Sequence, residues 1–140
     1  MTRHIEHLAD DPKAFAAVLA GFVSGIAEGC YPAERRTPNG DEECLVVEVG
    51  DRIVAFATFY RPDHRPIMWL DLLWVDADRR RSGLGEQLVR TLIRRSRDQG
   101  VERVELGTGS ANAAMQALAA KLHFEDISRG YQLDVRRAAP

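Results

Sequence analysis

The chain has 140 residues, 45% of them hydrophobic and 29% charged, with a net charge of −2. That is the composition of one globular domain, residues 1–140, long enough to bury a core without staples. No apolar run approaches the roughly 20 residues of a membrane span, the first residues lack a secretory leader pattern, and Cys30 and Cys44 fit neither a disulfide framework nor a zinc pattern; a cytoplasmic protein with no metal and no membrane partner is expected.

In chain order, residues 4–8 read as a first strand or extended arm. Asp10 or Asp11 can cap a helix that has Pro12 at its first position. Phe15, Val18, Leu19 and Phe22 then recur at helical spacing. Gly21, Gly25 and Gly29 weaken its continuation, so a break near Ser24 is expected. Residues 29–43, with Pro32, Pro38, Asn39-Gly40 and an acidic cluster, read as a loop. Residues 45–49, 53–60 and 68–75 read as three strands of a meander. The second and third are apolar on both faces, as central strands are. Residues 83–99 form a helix with an apolar stripe of Leu84, Leu88, Val89, Leu92 and Ile93, closed by Gly100. Residues 101–106 read as a strand reached by a parallel crossover. A glycine-rich turn from Gly107 follows, then an alanine-rich helix over 111–122, capped by Ser110 or Asn112. Two strands over 124–128 and 131–135 and a tail complete the chain. This order predicts a mixed α/β sheet with helices on both faces.

The chemistry concentrates between Trp69 and Gly85. An apolar strand stops at Val75, Arg79 to Arg81 follow, and Ser82-Gly83-Leu84-Gly85 opens the amphipathic helix. A helix N-terminus offers unpaired N–H groups and the positive end of a dipole, and so suits a phosphate. Residues 79–103 hold eight arginines against Glu86, Asp98 and Glu102, a local charge of +5 on a remainder of −7. One basic segment on an acidic protein fits a small anion, not a nucleic acid. The turn is neither a P-loop, for want of Gly-Lys-Ser/Thr, nor the dinucleotide fingerprint, whose third glycine falls on Leu88. Asp71 interrupts the apolar strand before it. A charge there is costly unless it is paired or used.

Leu73-Trp74-Val75, a short turn, then Arg80-Arg81-Ser82-Gly83-Leu84-Gly85 resembles the acetyl-CoA-binding motif of the GNAT superfamily of N-acetyltransferases: Leu-x-Val, turn, Arg/Gln-x-x-Gly-x-Gly/Ala. The downstream Asn112 and Lys121-Leu-His-Phe124 are similar to that family's Asn…Lys-Leu-Gly-Phe, and the likeness covers residues 45–135. It implies a GNAT-like splayed sheet, with the strands over 68–75 and 101–106 separating to admit the pantetheine arm of coenzyme A. Backbone groups of Leu73, Trp74 and Val75 would lie along that arm, amides of Arg80 to Gly85 would hold the pyrophosphate, and Asn112 would contact the cofactor or cap its helix. The resemblance makes Asp71 a general base, directly or through water, with a salt-bridged structural carboxylate as the other reading. A backbone N–H near Leu73 would stabilise the oxyanion. Arg79 and Arg81 are either anion ligands or solvated charges. Glu28, Glu34 and the Asp41-Glu42-Glu43 cluster would border the acceptor or lie in a solvated loop.

The implied activity is transfer of an acetyl group from acetyl-CoA to a primary amine of a small molecule or peptide, and a homodimer is compatible with it. Two positions depart from the pattern. Ala119 stands where the family commonly has a tyrosine that protonates the thiolate, and His123 replaces the glycine before Phe124. Tyr131, Tyr60, His123 or water are the substitutes to consider. Ala119 also supports an alternative, a non-catalytic acyl-CoA-binding module of the same fold.

Overall fold

The computed structural model describes residues 1–31, 35–62, 65–107, 112–127 and 130–136. Strands β1 (Thr2–Ile5), β2 (Glu43–Val49), β3 (Arg52–Tyr60) and β4 (Ile67–Val75) pair antiparallel in succession. Helix α1 (Pro12–Ala27) lies between β1 and β2 in the chain. Helix α2 (Leu84–Asp98) carries the crossover from β4 to β5 (Arg103–Leu106), which pairs parallel to β4. Helix α3 (Ala113–Lys121) precedes a hairpin of β6 (Glu125–Ile127) and β7 (Gly130–Asp134). The hairpin folds back so that β7, not β6, pairs with β5, and the sheet order is β1-β2-β3-β4-β5-β7-β6. This is the expected mixed α/β sheet. No described helix is long and apolar enough to cross a membrane.

Each face of the sheet has its own core. Leu88, Val89, Leu92 and Ile93 of α2 and Ala119 of α3 pack on Leu45, Val54, Phe59, Met68 and Leu70. Val18 and Phe22 of α1 pack on Val46, Phe56 and Leu72 on the other face. The α2 stripe is the one the sequence shows. Helix α1 starts as expected and departs from expectation in its length. Its cap is Asp11, whose carboxylate accepts from Ala14 N at 3.0 Å. It runs unbroken through Gly21 and Gly25. Those glycines are places of close approach: a Cβ at Gly21 would lie 2.5 Å from Phe56, and one at Gly25 would lie 2.2 Å from Tyr31. The packing gained on the sheet outweighs the propensity lost, about 1 kcal/mol per glycine. The first strand also ends earlier than expected, at Ile5, before a 3-10 turn over Leu8–Asp10.

Strand β4 carries an irregularity that the apolar pattern hides. Thr58 faces Leu72, but Phe59 faces Leu70, so Asp71 has no partner on β3. One extra residue makes a β-bulge and reverses the alternation of faces beyond it. Met68 and Leu70 therefore point to the α2 side. After the bulge Leu73 and Val75 take that side, and Leu72 and Trp74 turn towards α1.

Candidate active site

Strand β4 pairs with β5 only from Ile67 to Leu70, and β5 ends opposite Leu70. From Asp71 to Val75 the edge facing β5 is open. The alternation of hydrogen bonds fixes which groups face it. Asp76 N donates to Val54 O at 2.8 Å and Leu72 N donates to Thr58 Oγ1 at 3.1 Å, both towards β3. The N–H and C=O groups of Leu73 and Val75 thus face the gap. Buried carbonyls need donors, and side chains supply them. The Asp71 carbonyl accepts from Arg35 Nη1 at 2.9 Å, the Leu73 carbonyl from the Tyr31 hydroxyl at 2.6 Å, and the Val75 carbonyl from Arg80 Nε at 2.9 Å. Three side chains stand where a neighbouring strand would be, and of the backbone of β4 they meet carbonyls only. No side chain is donated an N–H by Leu73 or Val75 among the described residues.

Asp71 sits at the bulge, its side chain 14% exposed, with Arg35 Nη1 3.0 Å from Oδ1. Burial raises the pKa of its carboxyl; Arg35 and the Trp69 indole N–H, which stabilise the charged form, act against that rise. A proton acceptor with a raised pKa is better matched to neutral pH than an ordinary aspartate. Beside it, burial pushes the pKa of the Tyr31 phenol well above its usual range and raises that of the Cys30 thiol. Tyr31, Asp71, Leu73, Gly107 and Asn112 line a small cleft together.

That cleft adjoins a cavity of about 520 Å3 between the open end of β4, the start of α2 and helix α3. Leu73, Trp74 and Val75 form one wall, and Ala114, Met115 and Leu118 of α3 another. Its rim carries Arg79, Arg80, Arg81 and Lys121 against Glu86. The turn is shaped by backbone: Arg81 and Gly83 both have positive φ, 66° and 86°, so the chain enters α2 through a left-handed cap that glycine adopts freely. A Cβ on Gly85 would reach 3.8 Å from Leu73 and Val75 side chains, so its absence keeps the helix N-terminus open towards the β4 edge. Arg80 is held in place three ways: by Val75 O, by Glu28 Oε1 at 2.6 Å, and by the Trp74 ring at 4.6 Å. Ser82 does not line the cavity; its hydroxyl donates back to Arg79 O.

An open strand edge beside a cationic helix N-terminus fits a long ligand with amides at one end and phosphates at the other. The sequence profile of the acetyltransferase (GNAT) family matches residues 11–124. The chain belongs to this family. A curated relative, L-2,4-diaminobutyric acid acetyltransferase of Shouchella clausii, is 33% identical over 95 residues, 67% of this chain and 51% of that protein. The chain thus spans about half the length of that curated relative. Among solved structures, the ribosomal-protein-S18-alanine N-acetyltransferase of Escherichia coli is similar at a TM-score of 0.71 and 20% identity, covering 99% of this chain and 97% of that one. N-acetylglutamate synthase of Neisseria gonorrhoeae, complexed with coenzyme A and N-acetyl-glutamate, is similar at 0.67 and 16% identity, covering 91% of this chain and 29% of that one. At these identities the structures speak for the fold.

Within this GNAT fold the expected site residues do not all gather. Leu73, Trp74, Val75, Arg80, Arg81, Gly83, Leu84, Gly85 and Asn112 line the large cavity, and Asp71 lies in the adjoining cleft. Asn112 is an N-cap, its Oδ1 accepting from Met115 N at 3.1 Å; its amide also donates to Cys30 O at 3.3 Å, which ties α3 to the end of α1. Ala119 is buried in the α2-side core. None of the suggested substitutes lines the cleft: His123 is exposed, Tyr131 packs against the α2-side core, and Tyr60 lies in a separate cavity. Glu42 is buried and accepts from Asn39 N and Gly40 N, so it braces its loop, while Glu34 lies outside the described residues. Sequence reading missed Tyr31 and Arg35. Neither belongs to a motif; Gly25, which clears room for the Tyr31 ring, was the available hint.

Proposed function

We propose that the protein is an acetyl-CoA-dependent N-acetyltransferase that acts on a primary amine of a small molecule or peptide by direct attack. The carrying observation is the open edge of β4, where Leu73 and Val75 present N–H groups between a buried carboxylate at Asp71 and a cationic helix N-terminus. Acetyl-CoA supplies an acyl group activated as a thioester. The β4 edge from Leu73 to Val75 lines the pantetheine arm, and the amides from Arg80 to Gly85, with the α2 dipole, hold the pyrophosphate. Asp71 takes the proton of the acceptor ammonium, directly or through a water, and so frees the nitrogen lone pair. The Leu73 N–H donates to the oxygen on which negative charge develops. Tyr31 positions this donor: its hydroxyl fixes the Leu73 carbonyl, in the peptide that follows the one carrying the N–H. Much of the acceleration comes from holding amine and thioester together.

Thiol release from acetyl-CoA, followed across a panel of amines, tests the activity; thermal shift tests the cofactor site. Release above the blank with at least one amine is expected. Binding of acetyl-CoA without release with any amine would make the protein an acyl-CoA-binding module instead, and no thermal shift at millimolar acetyl-CoA would refute both.

A further inference from the structure

A second cavity, of about 270 Å3, lies on the α1 side of the sheet but beyond the reach of α1. Tyr60, Ile67, Trp69 and Glu105 share one face there, because Tyr60 pairs with Trp69 and Trp69 with Glu105. Pro62, Arg65 and Ile127 close its rim. It communicates with the reacting centre through Leu106, which lines both this cavity and the cleft at Asp71.

The cavity is lined by two charges of opposite sign, neither of them hydrogen-bonded by another side chain among the described residues. The Glu105 side chain is 18% exposed, and its nearest cation, Arg103 Nε, is 4.0 Å away, beyond hydrogen-bond reach. That Arg103 nitrogen is itself buried with no hydrogen-bond partner. Arg65 has its backbone tied to Pro62 O at 3.0 Å, but its guanidinium forms no ion pair among the described residues. A half-buried carboxylate without a close donor is costly. A ligand with one charge would pair with only one of the two groups.

We propose that this cavity is the acceptor subsite and selects a free basic amino acid: its side-chain amine reaches Asp71, its α-ammonium meets Glu105, and its α-carboxylate meets Arg65. The proposal rests on the acetyltransferase reading and sharpens it. Trp69 and Tyr60 offer π faces that favour the ammonium, and the Arg65 fork matches a carboxylate. A lysine within a peptide has neither free α-group and is disfavoured, so the site chooses a small molecule over a protein tail.

The test titrates the CoA-loaded protein calorimetrically with 2,4-diaminobutyrate, ornithine and lysine. Each is compared with the diamine lacking its carboxylate, the ω-amino acid lacking its α-amine, and, for lysine, its Nα-acetyl amide. The best amino acid is expected to bind about tenfold or more tightly than either single-charge analogue, as a charge-assisted hydrogen bond requires. Glu105→Gln should erase the preference over the ω-amino acid, and Arg65→Gln, at an exposed position, the preference over the diamine; CoA affinity should not change. Equal affinity across the analogues, binding of none of them, or preferences that survive both substitutions would overturn the proposal. Acetyl transfer is read by mass in parallel samples that hold acetyl-CoA in place of CoA. Transfer without charge preference removes this subsite alone, whereas charge preference without transfer removes the acetyltransferase reading.

Discussion

The two halves of β4 satisfy their backbone in different ways. From Ile67 to Leu70 the strand has β3 on one side and β5 on the other. From Leu72 to Val75 it has β3 alone, and the side chains of Tyr31 and Arg80 cover its outward carbonyls. A neighbouring strand would occupy donors and acceptors equally. Side-chain donors occupy acceptors only, so the second half keeps its N–H groups available while its carbonyls stay satisfied. Asp71 marks the boundary, and its bulge both ends the β5 pairing and turns the face of the strand.

This contrast can be broken from either side of the boundary. The largest effect is expected from Asp71→Asn, which should lower kcat by about 10²–10⁴-fold, the usual worth of general base catalysis, while leaving acetyl-CoA binding intact by thermal shift. A variant of near-parental kcat would remove Asp71 from the chemistry. On the cofactor side, Gly85→Asp places a carboxylate between the α2 N-terminus and the β4 edge. It should abolish the stabilisation of about 2.7 kcal/mol expected at about 100 times the Kd of the ligand. An undiminished shift would move the pyrophosphate elsewhere.

Smaller effects sharpen the account of the side-chain substitutes. Gly25→Ala would set a Cβ 2.2 Å from the Tyr31 ring, a clash worth about 1–3 kcal/mol of stability, read as a lower Tm together with weakened catalysis. Tyr31→Phe keeps the ring and removes one hydrogen bond. About 0.5–1.5 kcal/mol of stability should go with it, and kcat should fall more than the KM for acetyl-CoA rises, because the affected group adjoins the reacting centre rather than the phosphates. An unchanged kcat would reduce Tyr31 to packing.

The pH profile tests the boundary residue itself. Asp71 accepts a proton only as the carboxylate, so kcat/KM should rise with pH through its pKa. Burial raises that pKa and Arg35 lowers it. The acid limb is therefore expected above the ordinary aspartate range, and Arg35→Met should move it further up. A limb that moved down in the Arg35 variant would mean that another group sets it.

What was legible in the sequence follows from how local its causes are. The turn and α2 are written in adjacent residues: three arginines, two glycines and a helical stripe. Even there, the anchoring of Arg80 by Glu28, 52 positions away, was not readable. The meander was readable from apolar runs, but the bulge was not, because Leu70 and Leu72 are equally apolar and pattern alone cannot say that they face opposite ways. Gly21 and Gly25 pointed the wrong way, since propensity registers their cost and not the rings they make room for. Asp71 stood out as a charge in an apolar strand. Its partner Arg35 did not, because a loop arginine has no pattern and the pair exists only once α1 has docked.

The strand order has a consequence in time. β5 lies between β4 and β7, and β7 is made of residues 130–134. During synthesis the meander and α1 can associate as they emerge, since all of them precede α2 in the chain. β5 has only four residues paired with β4, and its other edge stays bare until the last hairpin arrives and folds inward past β6. The wall of the reacting cleft that Leu106 and Gly107 provide is thus among the last parts of the molecule to be secured. A ribosome-bound chain can hold a formed β4 edge and a formed α2 N-terminus and still lack the enclosure in which they act together.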